Sequence, residues 1–194
     1  MTIGILALQG NYQQHKKKLD ILGMQNIFIR NVKDLDKCDS LIIPGGESTT
    51  ISKQIDNNQL RKELISFAHT NSIFGTCAGM IMLSTCIPTN NLKPLNIMDI
   101  QVNRNSWGSQ IHSFSAGVIL DFDNDKPFHA VFIRAPKIIK MGKNIKVLSK
   151  FKNEPVLLTD GRHIASTFHP EIGNDFRIHN YFINKINERI PAIS

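Results

Sequence analysis

Apolar residues in the first half of the chain fall into short, nearly continuous runs, separated by stretches where they recur every three or four positions. Residues 3–8 form the first run and are closed by Gln9-Gly10. A run that is apolar on both faces reads as a strand buried in a parallel sheet. His15, Leu19, Leu22 and Met24 then make a loose helical stripe that Gly23 can end. Strand-like runs follow at 27–29 and 41–43, the second stopped by Pro44-Gly45-Gly46. An amphipathic helix over 59–69, with Leu60, Leu64, Ile65, Phe67 and Ala68 on its stripe, leads into a fourth short strand at 73–75. This alternation predicts an α/β fold with a parallel sheet, helices on both faces, and ligand sites outside the carboxyl ends of the strands.

From residue 97 the pattern changes to short strand-like runs at 97–102, 116–120, 130–133, 147–149, 156–158 and 163–168, with turn signals such as Asp160-Gly161 between them. A mixed or antiparallel extension of the sheet is expected here. An amphipathic helix around 176–186 closes the pattern, with Ile178, Phe182, Ile183 and Ile186 on one stripe. There is no internal repeat or linker, and 194 residues suit one domain spanning 1–194.

Composition narrows the possibilities. With 41% hydrophobic and 20% charged residues the chain is an ordinary globular one, neither disordered nor fibrous. The formal charge of +7 admits nucleic acid, anionic lipid or an acidic partner. The basic residues are scattered, however, and the longest run, Lys16-Lys17-Lys18, has no interleaved aromatics, so nucleic acid is not expected. No apolar run approaches the roughly 20 residues of a membrane span, and the opening residues read as a strand, not a signal peptide. Three cysteines, Cys38, Cys77 and Cys86, suit reduced thiols in a cytoplasm better than a disulfide framework. With seven histidines they form no paired short spacing of the zinc-ligand kind, so no metal is expected.

Three segments carry candidate chemistry. Gly75-Thr76-Cys77-Ala78-Gly79 lies between a strand and the apolar run Met80-Ile81-Met82-Leu83, the context of a nucleophile elbow with Cys in place of Ser. Thiolate is the form that attacks a carbonyl carbon; taken alone, the motif describes a buried structural cysteine equally well. In His169-Pro170-Glu171, Pro170 biases His169 toward extended backbone, which points residues two apart the same way. A base and the carboxylate that fixes its tautomer need that relation, although an isolated His-Pro-Glu is more often a surface turn. Pro44-Gly45-Gly46-Glu47-Ser48-Thr49 ends the third strand, and its glycines can aim backbone N–H groups at an oxyanion. It can equally be a turn before a helix with Ser48 or Thr49 as N-cap, and it lacks the lysine of a phosphate-binding loop.

With these pieces in order the chain resembles the class I (triad) glutamine amidotransferases, which carry a Cys elbow and a late His-x-Glu on a flavodoxin-like three-layer fold. Narrower features are Leu8-Gln9-Gly10, Pro44-Gly45-Gly46-Glu47-Ser48-Thr49-Thr50, Phe74-Gly75-Thr76-Cys77-Ala78-Gly79, Arg104-Asn105-Ser106, Phe132-Ile133-Arg134-Ala135-Pro136 and Ser166-x-Phe168-His169-Pro170-Glu171. Together they look like the glutaminase subunits of two-component pyridoxal 5′-phosphate synthases. The resemblance implies Cys77 as nucleophile, His169 as general base and then acid, and Glu171 as the residue that orients it. It implies L-glutamine held near Gly46, Glu47 and Ser48, by Arg104, and by Ile133 and Arg134. Backbone N–H groups near Gly46 and Ala78 would hold the oxyanion on the way to a γ-glutamyl thioester. Ammonia would pass to a (β/α)8-barrel synthase subunit, and no cofactor is implied for this chain.

The chain departs from the family pattern at Gly10-Asn11-Tyr12-Gln13-Gln14-His15, at Trp107-Gly108-Ser109-Gln110, where an arginine is missing, and at Ile172-Gly173. None touches the three catalytic candidates. Cys38 and Cys86 belong to no motif and read as packing or surface residues. The rival readings are a glutaminase serving another acceptor, such as the imidazole glycerol phosphate pathway, a Cys-elbow hydrolase or peptidase, and a non-catalytic binding subunit.

Overall fold

The computed structural model describes residues 1–85, 92–104 and 113–188. Its first half alternates as the apolar runs predict: β1 (Thr2–Leu6), α1 (Tyr12–Ile21), β2 (Gln25–Ile29), α2 (Val32–Leu35), β3 (Ser40–Ile43), α3 (Ser48–Asn57), α4 (Arg61–Thr70), β4 (Ser72–Thr76) and α5 (Ala78–Leu83). The second half is strand-rich: β5 (Ile100–Asn103), β6 (Ser113–Leu120), β7 (Asp123–Ile133), β8 (Lys137–Met141), β9 (Lys146–Phe151), β10 (Glu154–Thr159) and β11 (Ile164–Ser166), followed by α6 (Arg177–Asn187).

Among the described residues one sheet runs β2-β1-β3-β4-β11-β10-β9-β6-β7, and β5 pairs with β8 in a separate ribbon. Pairing is parallel from β2 to β11 and antiparallel from β11 to β7. This is the flavodoxin-like α/β arrangement with the antiparallel extension expected in the second half.

Side chains alternate across the parallel strands, and both sets are buried. Ile3, Ile5, Ile42 and Phe74 face α1 and α6, meeting Leu19, Ile178 and Phe182. Leu41, Ile43 and Ile73 face the other way, toward Ile51 and Ile55 of α3, Leu64 of α4 and Met80 of α5. The sheet is thus the middle of three layers. α5 lies so close that a Cβ on Gly79 would sit 1.9 Å from the Ile43 carbonyl oxygen.

Several boundaries differ from the sequence reading, each for a local reason. α1 ends as Gly23 predicts: at φ +70° it lets the Gly23 N–H donate to the Asp20 carbonyl and the Met24 N–H to that of Leu19. Those bonds satisfy the last carbonyls of the helix and leave Met24 outside it. The run at 97–102 becomes a strand only from Ile100, because the N–H groups of Ile97 and Met98 both donate to the Leu83 carbonyl at the end of α5. β7 is longer than 130–133, since it pairs with β6 back to Asp123. α2 and β8 have no counterpart in the sequence reading.

Phe182 is fully buried, with its ring 5.5 Å from that of Phe74, and ties α6 to the sheet. Phe182→Ala should cost about 3–5 kcal/mol of stability, read as a lower urea midpoint with an unchanged slope.

Candidate active site

Four chain segments meet at the carboxyl ends of β1, β3, β4 and β11, strands that lie side by side in the sheet. Between them is a cavity of about 310 Å³ whose lining includes Gly46, Glu47, Ser48, Cys77, Ala78 and His169. Arg104, Ile133 and Arg134 complete the predicted set around it. Of the sequence candidates only Glu171 stands back from the lining, behind His169. The cavity is also walled by Gln9, Gly10, Asn11 and Ile81, to which the sequence motifs give no site role. A roomier groove of about 500 Å³, near His69, Asp160 and Arg162, lies at the opposite end of β4, and no cysteine, serine or threonine lines it.

Cys77 occupies the turn from β4 into α5 with φ 50° and ψ −103°, a conformation that a residue bearing a Cβ rarely adopts. Its N–H donates to the Ser166 carbonyl of β11 at 2.7 Å, and its Sγ lies 3.7 Å from the Ile133 carbonyl oxygen. The thiol is thereby fixed between neighbouring strands and the end of β7.

The backbone between His169 and Glu171 is not extended, as Pro170 had suggested, but turned. The Ile172 N–H donates to the His169 carbonyl at 3.2 Å, and Pro170 takes the position of such a turn that its fixed φ favours. The turn is buried, and it still brings the two side chains together: His169 Nδ1 is 2.7 Å from Glu171 Oε1. The His169 N–H is tied to the Val131 carbonyl of β7 at 2.8 Å. With Nδ1 engaged by the carboxylate, the other ring nitrogen is left for Cys77. Gly45 fits against both: a Cβ there would lie 2.4 Å from His169 Cε1 and 3.3 Å from Cys77 Cβ.

Burial disfavours the imidazolium, yet the hydrogen bonds and charges of Cys77 and Glu171 outweigh it and raise the His169 pKa. Burial likewise favours neutral Glu171, and the influence of His15 and His169 outweighs it and holds the carboxyl below its ordinary value. The arrangement is a thiol, an imidazole that readily holds a proton, and an ionised carboxylate behind it. Asn11 Nδ2 donates to Glu171 Oε1 at 3.3 Å, and His15 Nε2 lies 3.4 Å from Oε2. The only sequence signal for His15 was its place on the helical stripe of α1.

The loop after β3 is a helix start, capped by Glu47 and not, as the sequence reading allowed, by Ser48 or Thr49. Glu47 accepts from the N–H groups of Thr49 and Thr50 at 3.0 and 2.6 Å and from Thr50 Oγ1 at 2.7 Å. Desolvation opposes ionisation, but these hydrogen bonds prevail and bring the Glu47 pKa down to about 2. Arg104 donates to Glu47 Oε1 at 3.1 Å and to Thr49 Oγ1 at 3.2 Å. Arg134 has the unusual φ of 43°. Asn105, Ser106 and the departures around Trp107 and Ser109 lie outside the described residues, as does Cys86. Cys38 is a buried thiol pushed up to about 12 by desolvation. Among the described residues no cluster of His, Cys, Asp and Glu has the makings of a metal site, and no helix is long and apolar enough to cross a membrane.

The SNO glutamine amidotransferase family matches residues 5–188. A pyridoxal 5′-phosphate synthase subunit PdxT from Pelotomaculum thermopropionicum is 42% identical over 186 residues, covering 95% of each chain. The subunit of the same name from Thermotoga petrophila is 38% identical, covering 96% of this chain and all of its own. A crystal structure described as a glutamine amidotransferase superposes with a TM-score of 0.90 at 36% identity, over 95% of this chain and 98% of that one. A putative GMP synthase subunit from Thermoplasma acidophilum, at 16% identity and a TM-score of 0.67, shares the fold.

Glu47→Ala should cost about 1 kcal/mol at pH 7 through the lost cap. Because the folded-state pKa is depressed, that stabilisation is present above the ordinary value of 4.5 and is lost as pH falls toward about 2. Urea titrations should therefore find the gap between wild type and variant smaller at pH 3 than at pH 7.

Proposed function

The chain belongs to the SNO glutamine amidotransferase family, and from that premise we propose that it hydrolyses L-glutamine through Cys77, His169 and Glu171. It is a glutaminase, the subunit of a pyridoxal 5′-phosphate synthase that supplies nitrogen as ammonia. The observation that carries the catalytic assignment is the placement of Cys77 and His169 on one cavity, with Glu171 2.7 Å behind the imidazole.

The Cys77 thiolate attacks the side-chain amide carbon of glutamine, and backbone N–H groups at Gly46 and Ala78 receive the oxyanion of the tetrahedral intermediate. Ala78 is suited to this because the first N–H groups of a helix have no partner within it. Imidazolium at His169 gives its proton to the departing nitrogen, and ammonia leaves a γ-glutamyl thioester. His169, now neutral, takes a proton from water as that water attacks the thioester, which releases glutamate and restores the thiol. Glu171 keeps the proton of Nδ1 in place and offsets the charge of the imidazolium.

Glutamine is bound by Gly46, Glu47, Ser48, Arg104, Ile133 and Arg134. Glu47 and Arg104 are already paired with each other, so the zwitterion meets a neutralised pair and not two isolated charges. The ammonia is taken up by a (β/α)8-barrel synthase subunit in a hetero-oligomer. The nucleophile must stay a thiol, which suits a reducing cytoplasm, and residues 1–194 act as one glutaminase domain.

Glutamate release, measured with and without the synthase subunit, tests the assignment. Cys77→Ala should abolish it, and Glu171→Gln should lower kcat by about 10²–10⁴-fold. Addition of the synthase should stimulate the wild type. Turnover that survives Cys77→Ala would overturn the mechanism, and indifference to the synthase would overturn the partner.

A further inference from the structure

On the far side of Glu171 from His169, α1 and α6 bring two fully buried histidines together. His15 Nδ1 is 3.1 Å from His179 Nε2. His15 Nε2 faces Thr76 Oγ1 at 3.2 Å and Glu171 Oε2 at 3.4 Å. Among the described residues Glu171 Oε2 and His179 Nδ1 are buried atoms without a hydrogen bond of good geometry. A buried N–H with no acceptor is costlier than a bare ring lone pair, so Nδ1 of His179 is the unprotonated nitrogen. Its proton is then on Nε2 and is donated to His15 Nδ1. That leaves the His15 proton on Nε2, aimed at Thr76 and at the outer oxygen of Glu171. Thr76 Oγ1 already accepts the Gly45 N–H at 3.0 Å, so the same cluster steadies the loop beside Cys77.

We propose that His15 is a positioning residue for the glutaminase reaction: a neutral imidazole, its tautomer set by His179, that holds the outer oxygen of Glu171 so that the inner oxygen stays on His169. The proposal rests on the catalytic assignment above. The groups around His15 are Glu171, His169, Thr76, His179 and, one helical turn along α1, Lys18. Lys18 is turned away, donating to the Asp175 carbonyl at 2.9 Å and lying 4.2 Å over the Phe176 ring.

Neutrality matters to the argument. Burial lowers the pKa of both histidines, that of His179 strongly; the Glu171 carboxylate opposes this without reversing it, and the Lys18 charge adds to the lowering in each case. A cationic His15 would compete with the imidazolium of His169 for one carboxylate, whereas a neutral donor supports the carboxylate without taking over its counter-ion.

The test follows the pH dependence of iodoacetamide alkylation at Cys77, read by mass on its peptide in the full chain, beside kcat and KM for glutamate release with the synthase. His15→Leu should move the onset of alkylation to higher pH by about half a unit to one unit, since the thiolate–imidazolium pair loses support. It should lower kcat about 10-fold with KM little changed. His15→Gln, whose amide nitrogen reaches the place of Nε2, should restore both. If His15→Leu does not fold, His15→Asn, which reaches His179 but not Glu171, replaces it with the same expectation. An onset and kcat equal to wild type in the folded variant would overturn the proposal, as would His15→Gln being as impaired as His15→Leu. The alkylation profile needs no glutamine, so it decides the role of His15 even if hydrolysis is absent in the wild type, a result that would instead sink the glutaminase assignment.

Discussion

The Glu171 side chain is fully buried, and an ionised carboxylate taken out of water costs several kcal/mol unless donors replace its hydration. Its inner oxygen takes donors from separate parts of the chain, His169 from the same turn and Asn11 from the loop after β1, and His15 of α1 lies 3.4 Å from the outer oxygen. A fold that lays the end of β11 beside the start of α1 brings these groups together. The parallel order β1-β3-β4-β11 does so, and the loops after β3 and β4 fall between the two, which is where the thiol stands. Sheet order, helix placement and the protonation of the reacting pair therefore answer to one buried charge.

Backbone contact, more than side-chain packing, sets the spacing around that charge. The Gly45 carbonyl accepts from the Asn11 N–H at 2.9 Å, and the Gly45 N–H donates to Thr76 Oγ1 at 3.0 Å. Gly10, at φ +96°, comes so near that a Cβ would lie 1.9 Å from the Gly45 oxygen. The loops after β1 and β3 are thus pressed backbone to backbone, and the Thr76 hydroxyl ties the second of them to the end of β4. The hairpin of β6 and β7 meets this assembly through the Val131 and Ile133 carbonyls, which touch His169 and Cys77.

How much of this was written in the sequence depends on how local the cause is. β1, β3 and β4 are apolar on both faces and announce themselves, as does α6 with its stripe of Ile178, Phe182, Ile183 and Ile186. Gly23 marks the end of α1 because only the αL conformation closes it cheaply. Cys77 and His169 stand in turn motifs that are ambiguous singly, and it is their combination in one chain that points to them. By contrast, the strand start at Ile100 depends on the Leu83 carbonyl taking the N–H groups of Ile97 and Met98. Pro170 biases its neighbour but does not fix the path, so a buried turn replaced the extended segment. Glu47 as a cap is a local hydrogen-bonding choice among neighbouring polar residues that apolar periodicity does not register, and His15 as more than one residue of a stripe depends on partners distant in sequence.

The backbone at Cys77, with φ 50° and ψ −103°, has a consequence for how the molecule divides its stability. A non-glycine residue held in such a region costs on the order of 1–3 kcal/mol, and glycine would occupy the place at less expense. The chain therefore folds in spite of its nucleophile, with Gly75 and Gly79 on either side giving the room that lets the rest of the fold absorb the strain. Thermostability and turnover pull in opposite directions at this one position, and a search for tighter folding that ignored chemistry would begin by discarding the thiol.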